Sequence, residues 1–133
     1  MKKYKKHTSS DLLKDVVAQA MMDLKAEKIT VINLKGISNA VADFFVICSG
    51  TSETHINSIG KNIEKEVKEQ LNDTPWQAEG KANREWILLD FADVVAHVFQ
   101  KEKRDFYALE DLWGDAEIIE LENTELNTQD NAE

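Results

Sequence analysis

From residue 10, Leu13, Val16, Val17, Ala20 and Leu24 recur at intervals of three and four, which predicts an amphipathic helix ending near residue 28, with Asp11 in its favourable first turn. The β-branched run "ITVINL" (29–34), bounded by Gly36, predicts a strand. The more continuously apolar "FFVICSG" (44–50) predicts a second, buried on both faces. After a cap at Thr51 or Ser52, Ile56, Ile59, Ile63, Val67 and Leu71 form a clean helical stripe that stops before "NDTP". A short strand over 76–79, a turn through Gly80, two strands in "EWILLDF" and "DVVAHVF", and a helix over 101–113 complete the chain. This order indicates an α/β domain, a mixed sheet of about five strands flanked by helices.

The two late strands are so closely spaced that a tight hairpin is expected, with Phe91 and Ala92 as loop residues and Asp90 facing Asp93, Leu88 facing Val95, and Trp86 facing His97. That register places Trp86, Leu88, Val95, His97 and Phe99 on one side and Ile87, Leu89, Val94 and Ala96 on the other. Neither set is polar, so both faces are expected to be covered. Ala92 is awkward if the turn needs a positive φ, costing about 1 kcal/mol relative to glycine. A longer loop would relieve it and shift the register.

With 133 residues, 42 % of them hydrophobic, the chain suits one globular domain with tails. Its single cysteine, Cys48, excludes an intramolecular disulfide and a cysteine-based zinc site, and fits a reduced compartment. The lysine-rich start lacks the apolar core of a secretory signal, and no segment approaches the ~20 apolar residues of a membrane span, so a cytoplasmic protein with no membrane contact is expected. The net charge of -9 lies largely in the last nineteen residues, which hold seven acids and no base. The remainder has 18 acids against 16 bases, four of those bases within the first six residues. Such a balance disfavours direct, sequence-specific nucleic-acid binding and favours a basic protein partner.

Several residues raise the question of chemistry. The loop "SGTS" ahead of a helix offers backbone N–H groups to an anion, but it lacks the Gly-Lys-Ser/Thr of a P-loop and the three-glycine dinucleotide spacing. Strand-turn-cap geometry accounts for it without a ligand. Asp43, Asp90 and Asp93 are the carboxylates available for a magnesium-dependent transfer, yet the spacing of Asp90 and Asp93 suits the flanks of a turn better than one ion. His97 lies about 13 Å along its strand from Asp93, beyond hydrogen-bond reach, and spacing joins neither His7 nor His55 to it. It reads as a buried, hydrogen-bonded histidine. No catalytic residue, metal site or cofactor is called for.

Read together, "VADFFVICSGTSETHINSI", "EGKANREWILLDFADVVAHVFQKEKRDFYALEDLW" and the leading amphipathic helix resemble the Iojap-like ribosomal silencing factors. The likeness is carried by Glu79, Gly80, Trp86, Asp90, Asp93, His97, Phe99, Arg104, Tyr107, Leu109, Glu110, Leu112 and Trp113. Ala92 departs from it, since the family commonly has glycine there. The resemblance sets the domain at residues 9–114, between a basic tail (1–8) and an acidic tail (115–133) expected to be disordered. It implies a nucleotidyltransferase-like fold without the catalytic carboxylates, and a binding protein in place of an enzyme. Its implied partner is the fourteenth protein of the large ribosomal subunit, bound so that the small subunit cannot join and translation slows when nutrients are scarce. A homodimer is implied for the free form. Trp86, Tyr107 and Leu109 are the expected contacts, with Arg104 and Glu110 setting orientation. The rival readings are a nucleotide-binding or nucleotidyltransferase-type enzyme and an acidic adaptor for another basic protein.

Overall fold

A computed structural model describes residues 9–80, 85–104 and 115–121. Helix α1 spans Ser10–Asp23, capped by the Ser9 hydroxyl, which accepts the Leu12 N–H at 3.1 Å. It stops sooner than its apolar periodicity suggests because Lys25 turns left-handed (φ +60°) and the Lys25 and Ala26 amides bond back to Met22 and Met21, a Schellman-type end. The chain is thereby freed to enter β1 (Glu27–Asn33) two residues earlier than expected. Strand β2 is Phe44–Gly50, buried throughout, as its continuous apolar run requires. Ser52, of the two candidate caps, begins α2 (Glu53–Leu71) by accepting the His55 N–H at 3.0 Å, and left-handed Asn72 ends it. Strands β3 (Gln77–Glu79), β4 (Trp86–Asp90) and β5 (Val94–Gln100) follow, then a 3-10 turn over Lys101–Lys103. The rest of the helix expected over 101–113 lies outside the described residues.

The strands form one mixed sheet in the order β3-β4-β5-β2-β1-β6, in which only β2 and β5 run parallel. The sixth strand, β6 (Glu117–Leu121), corrects the expectation of a wholly disordered acidic tail from residue 115: it pairs antiparallel with β1, and Leu121 packs on the core. Its backbone completes the ladder along β1, an edge the charge of the segment conceals in the sequence.

The hairpin register also differs from expectation. Trp86 faces Phe99, Leu88 faces His97 and Asp90 faces Val95. The turn sits one residue later, with Phe91 N–H donating to Val94 O and Asp93 N–H to Phe91 O, and Ala92 does adopt a positive φ of +77°. The Asp90 carboxylate supports this strained residue by accepting its N–H at 2.8 Å. Moving each partner by two residues leaves every side chain on its predicted face, because the strand period is two.

Helices α1 and α2 cover one face of the sheet, where Val16, Val17, Met21, Ile59, Ile63 and Val46 belong to the larger core. Asn62 ties α2 to α1 by donating to Ala20 O at 2.9 Å. On the other face a smaller cluster contains Ile32, Leu34, Phe45, Ile47, Val95 and Phe99, with Trp86 and Leu88 partly buried against it. No described helix is long and apolar enough to cross a membrane.

Candidate functional site

Trp86 opens β4 on that second face, half-buried, and is held by a bed of rings. Its indole lies on Phe99, directly opposite in β5, with ring centres 5.0 Å apart and planes 28° apart. Its Nε1–H donates to His97 Nδ1 at 3.1 Å. His97 in turn packs against Phe45 at 4.6 Å and runs nearly parallel to Phe99. Because Nδ1 accepts, the imidazole proton belongs on Nε2, and Nε2 is buried with no hydrogen-bond partner among the described residues. Burial lowers the pKa of His97 from 6.5 to about 3, so it stays neutral and remains an acceptor for the indole.

The backbone beneath the indole is fixed as firmly. Gly80, at φ +86°, lies so close to the Trp86 carbonyl that a Cβ there would come within 1.9 Å of its oxygen, which gives the Glu79-Gly80 pair a steric reason. On the other side, Gln100 N–H donates to Glu85 O, and Lys103 pairs with Glu85 at 3.2 Å.

Arg104 does not occupy the orienting surface position expected of it. It is buried, and its guanidinium points into the domain, donating to Lys28 O (2.6 Å), Ser49 Oγ (3.1 Å) and Thr30 Oγ1 (2.8 Å). A bulge in β1 between Glu27 and Thr30, with Lys28 at φ +51°, accompanies this contact and makes the carbonyl available. Arg104 thus joins the turn after β5 to β1 and β2. Its charge favours a Cys48 thiolate, but burial outweighs it and pushes the thiol up to about 12, leaving an unreactive buried cysteine. Tyr107, Leu109 and Glu110 lie outside the described residues.

The "SGTS" loop is filled by its own chain. Thr51 N–H donates to His55 Nδ1 at 3.0 Å, while His55 Nε2 reaches Leu24 O at 2.8 Å. A Cβ on Gly50 would lie 2.7 Å from Ile56 Cγ1, so this glycine serves the close approach of α2 to β2. Asp43 accepts from Ser10 Oγ at 2.7 Å, and among the described residues it forms no metal-binding cluster with Asp90 and Asp93. Sequence reasoning missed the roles of His55 and Gly80, each of which depends on a neighbour brought in by the fold.

Against this geometry, comparison with known proteins is informative. Residues 6–133 match the family described as "Ribosomal silencing factor during starvation". The chain is 43 % identical over 114 residues to the ribosomal silencing factor RsfS of Halalkalibacterium halodurans, covering 86 % of this chain and 96 % of that protein. It is 40 % identical over 110 residues to RsfS of Bacillus subtilis, covering 80 % and 89 % respectively. A mouse protein named "Mitochondrial assembly of ribosomal large subunit protein 1" is 37 % identical over 73 residues, covering 53 % of this chain and 32 % of that one. A crystal structure from Bacillus halodurans superposes with a TM-score of 0.71 at 39 % identity, covering 85 % of this chain and all of the other.

Proposed function

The chain belongs to the ribosomal silencing factor family, and from that premise we propose that it binds the large ribosomal subunit through its fourteenth protein, blocks joining of the small subunit and so represses translation when nutrients are short. The observation that carries this reading is Trp86, half-buried on a rigid bed of Phe99 and His97. A large amphipathic ring whose orientation is set beforehand loses little freedom on contact, which suits an interface anchor. The acidic charge suits a basic ribosomal protein, supplying encounter rate and orientation where the anchor supplies affinity. The mouse relative's name, which refers to the large ribosomal subunit, and the family's, which refers to starvation, support the same reading.

Tyr107, Leu109 and Glu110 belong to the proposed contact surface, while Arg104 supports it from within by fixing the segment that leads to them. The role is regulatory and not enzymatic, exercised in the cytoplasm, with a homodimer as the free form. The test is co-sedimentation with isolated large and small subunits at moderate salt. The wild type is expected to travel with the large subunit only, and Trp86→Ala to bind about 30-fold more weakly, as loss of a ~2 kcal/mol anchor implies. Equal binding by the two would remove Trp86 from the interface. Retention by neither subunit would defeat the reading as a whole.

A further inference from the structure

At the far end of β4 from Trp86, an open cleft of about 570 Å³ is lined by Val41, Trp76, Gln77, Asp90, Asp93 and Val95. Two of these are among the most exposed apolar side chains of the described residues: Val41 is 80 % and Trp76 is 74 % exposed. Trp76 is anchored through its backbone, where its N–H donates to Asp90 O at 2.8 Å, so its ring stands beside the end of β4. Both carboxylates of the cleft lie on or next to the hairpin turn. Asp90 spends one oxygen on the Ala92 N–H, and among the described residues neither it nor Asp93 is paired with a cation. An exposed indole face next to two negative charges is a combination that water solvates poorly on one side and a cation satisfies on both.

We propose that this cleft receives an arginine side chain presented by a basic protein. A guanidinium is planar and weakly hydrated, so it stacks on the indole of Trp76 while its N–H groups reach the Asp93 and Asp90 carboxylates; an ammonium is more strongly hydrated and lacks both the flat face and the fork of donors. Val41 and Val95 offer apolar surface to the methylene stem. The acidic surface of the domain, which draws basic proteins in general, favours such an occupant. The site goes beyond the ribosome-binding reading and does not depend on it.

The test uses the full-length isotope-labelled chain titrated with acetyl-Gly-Arg-Gly-amide and followed by NMR at the Trp76 indole N–H, assigned by its loss in Trp76→Phe. A saturable shift is expected with the arginine peptide, a weaker response with acetyl-Gly-Lys-Gly-amide and none with acetyl-triglycine-amide. Asp93→Asn, at an exposed side chain, should weaken the arginine peptide about threefold to fivefold, the upper part of the range of a surface charge pair. A shift with the glycine peptide, equal affinity for the lysine peptide, or unchanged affinity in Asp93→Asn would overturn the proposal. No ribosome is present in the titration, so its outcome stands apart from that of large-subunit binding.

Discussion

His97 shows how a single side chain acquires meaning from its surroundings. An isolated histidine titrates near neutrality, but here burial holds the ring neutral down to about pH 3, and neutrality is what allows Nδ1 to accept the Trp86 indole. The consequence for stability has a definite sign. Above pH 6.5 the ring is neutral in both folded and unfolded chains. As pH falls from 6.5 towards 3 only the unfolded chain takes up the proton, so stability is lost by up to about 1.4 kcal/mol per pH unit. His97→Gln, which keeps a side-chain acceptor but no titrating group, should therefore show a flatter fall in denaturation free energy across this window than the wild type. Parallel curves for the two proteins would contradict the assignment. Arg104 carries the complementary lesson: its place in the chain next to candidate contacts suggested a surface charge, whereas only the packed structure shows three acceptors from β1 and β2 converging on it.

Among the elements, the β4-β5 hairpin is where local chemistry and geometry disagree. Its two-residue turn needs a left-handed residue, and alanine occupies that place at φ +77°. The strain is tolerated because Asp90 accepts the Ala92 N–H and because the central β5 is paired on both sides, with β4 and β2. Ala92→Gly should therefore raise stability by up to about 1 kcal/mol, the relief of the left-handed strain exceeding the entropy glycine adds to the unfolded chain. Urea denaturation would check it, and a midpoint lower than wild type would show that the turn prefers alanine. The awkwardness of Ala92 was legible from the residues alone. The register was not, because a turn shifted by one residue leaves the same side chains on the same faces, and the apolar pattern does not distinguish the two.

For the molecule as a whole, β6 moves the edge of the domain. Residues 117–121 lie in a segment whose charge reads as a solvated tail, yet their backbone satisfies the outer edge of β1. A chain ending at residue 116 exposes that edge and loses the contact of Leu121, and is expected to be less stable by more than about 1 kcal/mol and more prone to self-association. A chain ending at residue 121 should keep the full-length midpoint in thermal unfolding. Equal midpoints for both truncations would mean that β6 adds nothing to the fold.

What periodicity determined was the identity and order of most elements and the division of β4 and β5 into two apolar faces, because these follow from spacing along a single strand or helix. The family likeness was equally legible, since it rests on residue types at fixed intervals. What only the tertiary structure decided was each pairing between distant segments: β6 on β1, Arg104 beneath β1 and β2, Gly80 against the Trp86 carbonyl, His55 folded over its own loop, and Trp76 beside Asp90. Such contacts form where the sheet brings separate stretches of backbone together. Burial and hydrogen bonding there can override the charge, polarity or capping preference that each residue shows when read within its own stretch.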